Sequence, residues 1–146
     1  MLLFLLIFVN AIAPNTFAGQ RTVFFKYQAP IVITKGKTLY KEHCASCHGD
    51  NLEGQENWRQ RNDEGMLPAP PHDVTGHTWH HPEQILFDLT KHGLAKLLNK
   101  KDFRSDMPAY GESLSDEEII AVLSFIKSTW PVHMQRTHDQ ISAHQH

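Results

Sequence analysis

Both cysteines of the chain fall in one pentapeptide, Cys44-Ala-Ser-Cys47-His48. Two thiols three residues apart on a helix face the same way, so both can add to the vinyl groups of one haem and leave the next residue's imidazole beneath the iron. The pentapeptide therefore reads as a c-type haem attachment site. A redox-active Cys-X-X-Cys would sit beside a βαβ pattern, which this sequence lacks, and a zinc site needs two further ligands at matching spacing. Eleven histidines accompany the two cysteines, which raises the question of metal for the rest of the chain.

The 146 residues carry 14 Lys+Arg against 16 Asp+Glu, a formal charge of −2. That balance fits one ordinary soluble domain and excludes a basic nucleic-acid binder or an acidic disordered chain. Two cysteines also exclude a disulfide-dense mini-protein. Leu2 to Val9 is an unbroken apolar run, followed by Asn10, Pro14 and Thr16-Phe17-Ala18. It is too short for a spanning helix, which needs about 20 apolar residues. Residues 1–18 are thus expected to be a secretory signal peptide cut after Ala18, although no Lys or Arg precedes the run. Left uncut, the same segment would be a membrane anchor, the one route by which this chain meets a membrane. In either case the folded part is expected in the periplasm or otherwise exported.

The elements that must position the pentapeptide follow from periodicity. Residues 19–34, with Val23, Phe24, Phe25 and Ile31-Val32-Ile33, predict an extended N-terminal strap. Gly36, Leu39, Tyr40, His43, Cys44 and Cys47 recur at three- and four-residue intervals, which predicts a helix running into the motif. Gly49 to Gly76, rich in Gly, Pro, Asn and Asp, predicts a long loop, and so long a loop in a small domain is usually functional. A second helix begins at Pro82 and ends at Gly93, and Leu94, Leu97 and Leu98 continue as a short turn. Ser115 and Glu118 form a capping-box sequence opening a helix with an Ile119, Val122, Leu123, Ile126, Trp130 stripe, which Pro131 stops. Residues 132–146, polar and containing His133, His138, His144 and His146, predict a disordered tail.

From Lys35 to Trp130 the chain resembles a class I, monohaem cytochrome c. The residues that carry the resemblance are Gly36-Lys-Thr-Leu-Tyr40 leading into Cys44-Ala-Ser-Cys47-His48-Gly49, then Pro70-Pro71, then Met107-Pro108, then the closing amphipathic helix. The resemblance implies an all-α fold in residues 35–131, wrapped around one covalent haem c. It also implies that the first and last helices cross at Gly36, with Tyr40 facing the Leu123–Ile126 region. Gly49–His81 is similar to one group of bacterial cytochrome c-like proteins and not to the mitochondrial carriers.

Two axial ligands keep the iron's coordination full in both oxidation states. His48 is the fifth ligand by adjacency, and its other ring nitrogen should donate to a carbonyl of Pro68–Pro71, with Pro70 in the haem pocket. Met107 is the favoured sixth ligand, because Pro108 stiffens a loop able to cross the distal face; a thioether there implies a fairly positive potential. His72, His77, His80, His81 and His92 are the alternative donors, while Met66 reads as loop packing and Met134 lies beyond the last helix. Trp58 and Trp79 are candidate pocket residues whose indole N–H groups can reach a propionate, and Arg59 and Arg61 could pair with one. Capture of Cu²⁺ or Zn²⁺ by the tail is a weaker idea, since its spacings fit no rigid site.

These readings lead to an exported one-electron carrier rather than an enzyme, meeting a donor and a terminal reductase or oxidase transiently. Two alternatives remain open. One is a haem enzyme or a gas or peroxide sensor with a labile sixth ligand. The other is a haem subunit of a larger respiratory complex.

Overall fold

The computed structural model describes residues 22–100 and 102–144, so the expected signal peptide lies outside the described residues. Among them are six α-helices and a 3-10 turn, and no strand: α1 (Pro30–His43), α2 (Ala45–His48), the turn Thr78–His80, α3 (Glu83–His92), α4 (Leu94–Leu97), α5 (Asp116–Ser128) and α6 (Val132–Ala143). The all-α expectation holds. None of these helices is long and apolar enough to cross a membrane.

The core is the crossing of α1 on α5. Gly36 is buried there, and a Cβ on it would overlap the backbone carbonyl of Ala121, so hydrogen at this position lets the two helix backbones approach directly. One turn on, fully buried Tyr40 meets Phe125 with ring centroids 5.5 Å apart. The α5 stripe, Ile119, Val122, Leu123 and Ile126, is buried together with Leu86 and Phe87 of α3. Its N-terminus carries the capping box in full, with Ser115 Oγ accepting from the Glu118 N–H and the Glu118 carboxylate accepting from the Ser115 N–H. Two orphan amides at the helix start are satisfied in this way.

Two expectations need correction. The N-terminal segment is irregular only up to Ala29; α1 already begins at Pro30, within the stretch read as strap. Proline at the first helical position has its φ preset and no N–H to satisfy, and the Ile33 N–H reaches the Ala29 carbonyl at 3.0 Å. The helix penalty of the β-branched Ile-Val-Ile run is only a few tenths of a kcal/mol per residue, so the α1–α5 contact decides the local structure.

The second correction concerns residues 132–146, because Val132–Ala143 is helix and not disordered tail. Pro131 ends α5 and caps α6. The Gln135 side-chain amide donates to the carbonyls of Lys127 and Trp130, closing the end of α5. Met134 and His138 are buried, the latter fully. Beneath them Lys127, fully enclosed, donates to Glu83 Oε1 at 2.7 Å and Asp139 Oδ1 at 2.5 Å. Asp139 also accepts from the Tyr27 hydroxyl, and Glu83 Oε2 accepts from the Phe25 N–H. The N-terminal segment, α3, α5 and α6 are therefore tied at one buried ammonium. Glu83, His138 and Asp139 form the one grouping among the described residues with metal-ligand spacing, but Lys127 already supplies the cation at its carboxylates. Of the described tail histidines, His138 donates its Nε2–H to the His81 carbonyl, and His133 and His144 are exposed.

Candidate functional site

The attachment motif is held at the end of α1. That helix closes at Cys44, whose N–H donates to the Tyr40 carbonyl, and a single further turn, α2, carries Ala45 to His48. The Tyr40 hydroxyl reaches past the motif to the Gly49 carbonyl at 2.8 Å. Anchored at both ends, the turn presents two free thiols, Cys44 partly buried and Cys47 exposed. Burial, followed by the neighbouring Cys47, pushes the Cys44 thiol up to about 11.

His48 is buried, and its Nδ1 lies 2.8 Å from the Pro70 carbonyl oxygen, within the segment expected to provide it. That hydrogen bond fixes the tautomer with the proton on Nδ1 and leaves Nε2 as the free donor atom. Burial holds the His48 pKa below the ordinary imidazole value, against the raising effect of the Pro70 bond. The Pro70 carbonyl is in turn positioned by a pair of adjacent loop segments. Gln55 N–H donates to the Ala69 carbonyl, His72 N–H donates to the Leu52 carbonyl, and Gly54 sits where a Cβ would strike the Pro70–Pro71 backbone. A glycine with φ of +68° is the residue that permits this approach.

Met107 lies in the segment between α4 and α5 and is partly buried, its N–H donating to Ser105 Oγ. The segment is tied to the motif by Tyr110, whose hydroxyl donates to the carbonyl of His43, the residue before Cys44, at 2.7 Å. Tyr110 and Gly111 also donate backbone N–H groups to the Thr90 and Lys91 carbonyls at the end of α3. Tyr110 escaped the sequence reading; the available signal was an aromatic residue three positions after Met107 in a loop otherwise poor in apolar residues.

The other candidates divide clearly. Trp79 packs against the core, stacks on His80, and its indole N–H is buried without a partner among the described residues. Half-buried Trp58 stacks with His77, ring centroids 5.1 Å apart, and the Arg59 guanidinium lies 4.1 Å from its ring centroid. Arg61 donates to the Gly65 carbonyl. Met66 is buried in the loop, its N–H on Asn62, and Met134 is core on α6. His92 lies 3.4 Å from Lys96 Nζ at the end of α3.

The donor set fits a covalent haem. Two free thiols precede an imidazole whose Nδ1 is held by a carbonyl, and the buried Trp79 N–H has no acceptor among the described residues, a donor that would suit the carboxylate of a propionate. His72 and His48 lie with their rings face to face, centroids 4.0 Å apart at 23°, and not nitrogen to nitrogen as two imidazoles sharing one metal ion between them would.

The family model described as Cytochrome c matches residues 33–130. A curated relative, "Cbb3-type cytochrome c oxidase subunit FixP" of Sinorhizobium medicae (strain WSM419), is 23% identical over 96 residues, which cover 66% of this chain and 29% of that protein. The chain thus aligns to less than a third of that relative's length. No solved structure gives a significant match.

Proposed function

The chain belongs to the cytochrome c family, whose haem c is covalently bound and whose attachment motif Cys44 and Cys47 fit, and from that premise we propose that it is an exported one-electron carrier with His48 and Met107 as axial ligands. The bound haem supplies the redox chemistry, exchange of one electron between ferric and ferrous iron. The protein's own groups set the conditions. His48, held by the Pro70 carbonyl, offers Nε2 to the iron, and the hydrogen bond at Nδ1 makes that nitrogen a stronger donor. Met107 offers a thioether from a segment that Tyr110 ties to the end of α1, favouring the ferrous state and a positive potential. The buried, unpartnered Trp79 indole N–H would be a donor for a propionate.

The observation that carries this reading is the pairing of the oriented His48 with a methionine loop anchored beside the two cysteines. Voltammetry and carbon monoxide titration of the haem-loaded protein test it. A reversible one-electron couple with slow, incomplete carbon monoxide binding to the ferrous form is expected. Rapid and complete binding at neutral pH would replace the carrier by an enzyme or sensor with an open sixth position.

The named relative is an oxidase subunit, which supports a second reading: the same haem domain serving within a respiratory assembly. Recovery of the chain in a stable, high-mass membrane complex would favour that reading, and recovery as a free monomer the first. Periplasmic placement, by the segment at residues 1–18, belongs to the same proposal.

A further inference from the structure

His72 takes no part in the family motif, yet its ring covers a face of the His48 imidazole at a centroid distance of 4.0 Å. The ring is itself tethered. Its Nδ1 lies 2.8 Å from Thr78 Oγ1, and Thr78 is buried with its hydroxyl directed at the Pro71 carbonyl 3.5 Å away. This order assigns the donors: Nδ1–H of His72 donates to the Thr78 hydroxyl, which donates to Pro71. The backbone of His72 is fixed on both sides, its N–H on the Leu52 carbonyl and its own carbonyl accepting from the Trp130 indole at 2.8 Å. The last residue of the α5 stripe is thereby coupled to the loop beside the proximal histidine.

A histidine held only through Nδ1 can still swing about its Cβ–Cγ bond, because one hydrogen bond fixes one direction in the ring and leaves the ring plane soft. A second ring packed flat against it removes that freedom. We propose that His72 is a positioning residue that, through Thr78, sets the plane of the His48 imidazole, a role that rests on the reading of His48 as the axial ligand. The contact is made by a ring face lying nearly parallel to the His48 ring, so its effect is one of orientation.

The plane of an axial imidazole governs how unpaired spin is distributed over a ferric haem, and electron paramagnetic resonance g values and the spread of haem-methyl proton shifts report it. The test compares ferric, haem-loaded wild type with His72→Ala, His72→Phe and Thr78→Val. His72→Ala, which removes the stacked ring, is expected to shift and broaden the g values and to change the order or spread of the methyl resonances. His72→Phe restores the flat ring and should return both toward wild type. Thr78→Val keeps the volume but cuts the tether, and should give intermediate broadening. Wild-type g values and methyl shifts in His72→Ala, or in Thr78→Val if the alanine variant does not fold, overturn the proposal. A wild-type spectrum without a low-spin, histidine-ligated signal would instead overturn the ligation reading beneath it.

Discussion

Lys127→Met isolates the buried ion cluster that joins the N-terminal segment and α6 to the haem domain. The ammonium is fully enclosed, and its two carboxylates differ in surroundings: the Glu83 side chain is 7% exposed and that of Asp139 is 45% exposed. After substitution Asp139 can turn to water, so its half of the cluster is worth about 0–1 kcal/mol. Glu83 cannot turn away. Its Oε2 keeps the Phe25 N–H, but Oε1 loses the Lys127 donor, and stranding a buried charge in this way costs about 3–5 kcal/mol. Methionine nearly matches the lysine stem in volume, so a cavity adds little. For a domain of this size the loss corresponds to a fall in Tm of about 10–15 °C. Helical circular dichroism of the haem-loaded protein, followed against denaturant and temperature at neutral pH, measures it as a lower midpoint at unchanged m. The double variant Lys127→Met/Glu83→Gln removes the stranded charge and should recover much of the loss. A single-variant cost below about 1 kcal/mol, or a double variant no more stable than the single, would refute the reasoning.

Gly36→Ala places a methyl group into the Ala121 carbonyl and should cost about 1–3 kcal/mol or more, since backbone must shift; unfolding midpoints check this. His138 is held neutral, at about 4 against an ordinary 6.5, by burial first and Lys127 second. The unfolded chain therefore binds the extra proton at higher pH than the fold does, and stability falls as pH drops from about 6.5 to about 4, by on the order of 3 kcal/mol. His138→Gln, measured by denaturant unfolding across that window, should show a shallower slope, and an equal slope contradicts the assignment. Tyr110→Phe deletes the tie between the Met107 segment and the His43 carbonyl, worth about 1 kcal/mol. Cyanide titration of the ferric protein should then show about five-fold tighter displacement of the sixth ligand if Met107 is that ligand.

Helices stabilised by local signals were legible in the residues themselves. The Ser115–Glu118 box, the apolar α5 stripe and the Gly93 stop of α3 each act within a few positions, and all three are present. The Pro70 carbonyl partner of His48 was legible too, because a proline segment has carbonyls to offer and few amides to satisfy. The helix at 132–143 was not, since its reasons lie far away in sequence: Gln135 closes another helix, Asp139 meets Lys127 and Tyr27, and His138 reaches the His81 carbonyl. A polar composition conceals a helix when each polar side chain has a distant partner. The stacking of His72 on His48 was hidden for the same reason, as nothing in a 24-residue separation marks two imidazoles as neighbours. The packing of His77 on Trp58 was hidden likewise, across 19 residues, while Arg59 is its neighbour in the chain.

The ferric absorption spectrum of the haem-loaded protein, wild type against Met107→Ala and with the reduction potential measured alongside, bears most directly on the His48/Met107 ligation. Wild type should show the weak charge-transfer band of thioether-ligated ferric iron, and the variant should lose it together with a fall in potential. A spectrum and potential unchanged by the substitution would contradict Met107 as the sixth ligand.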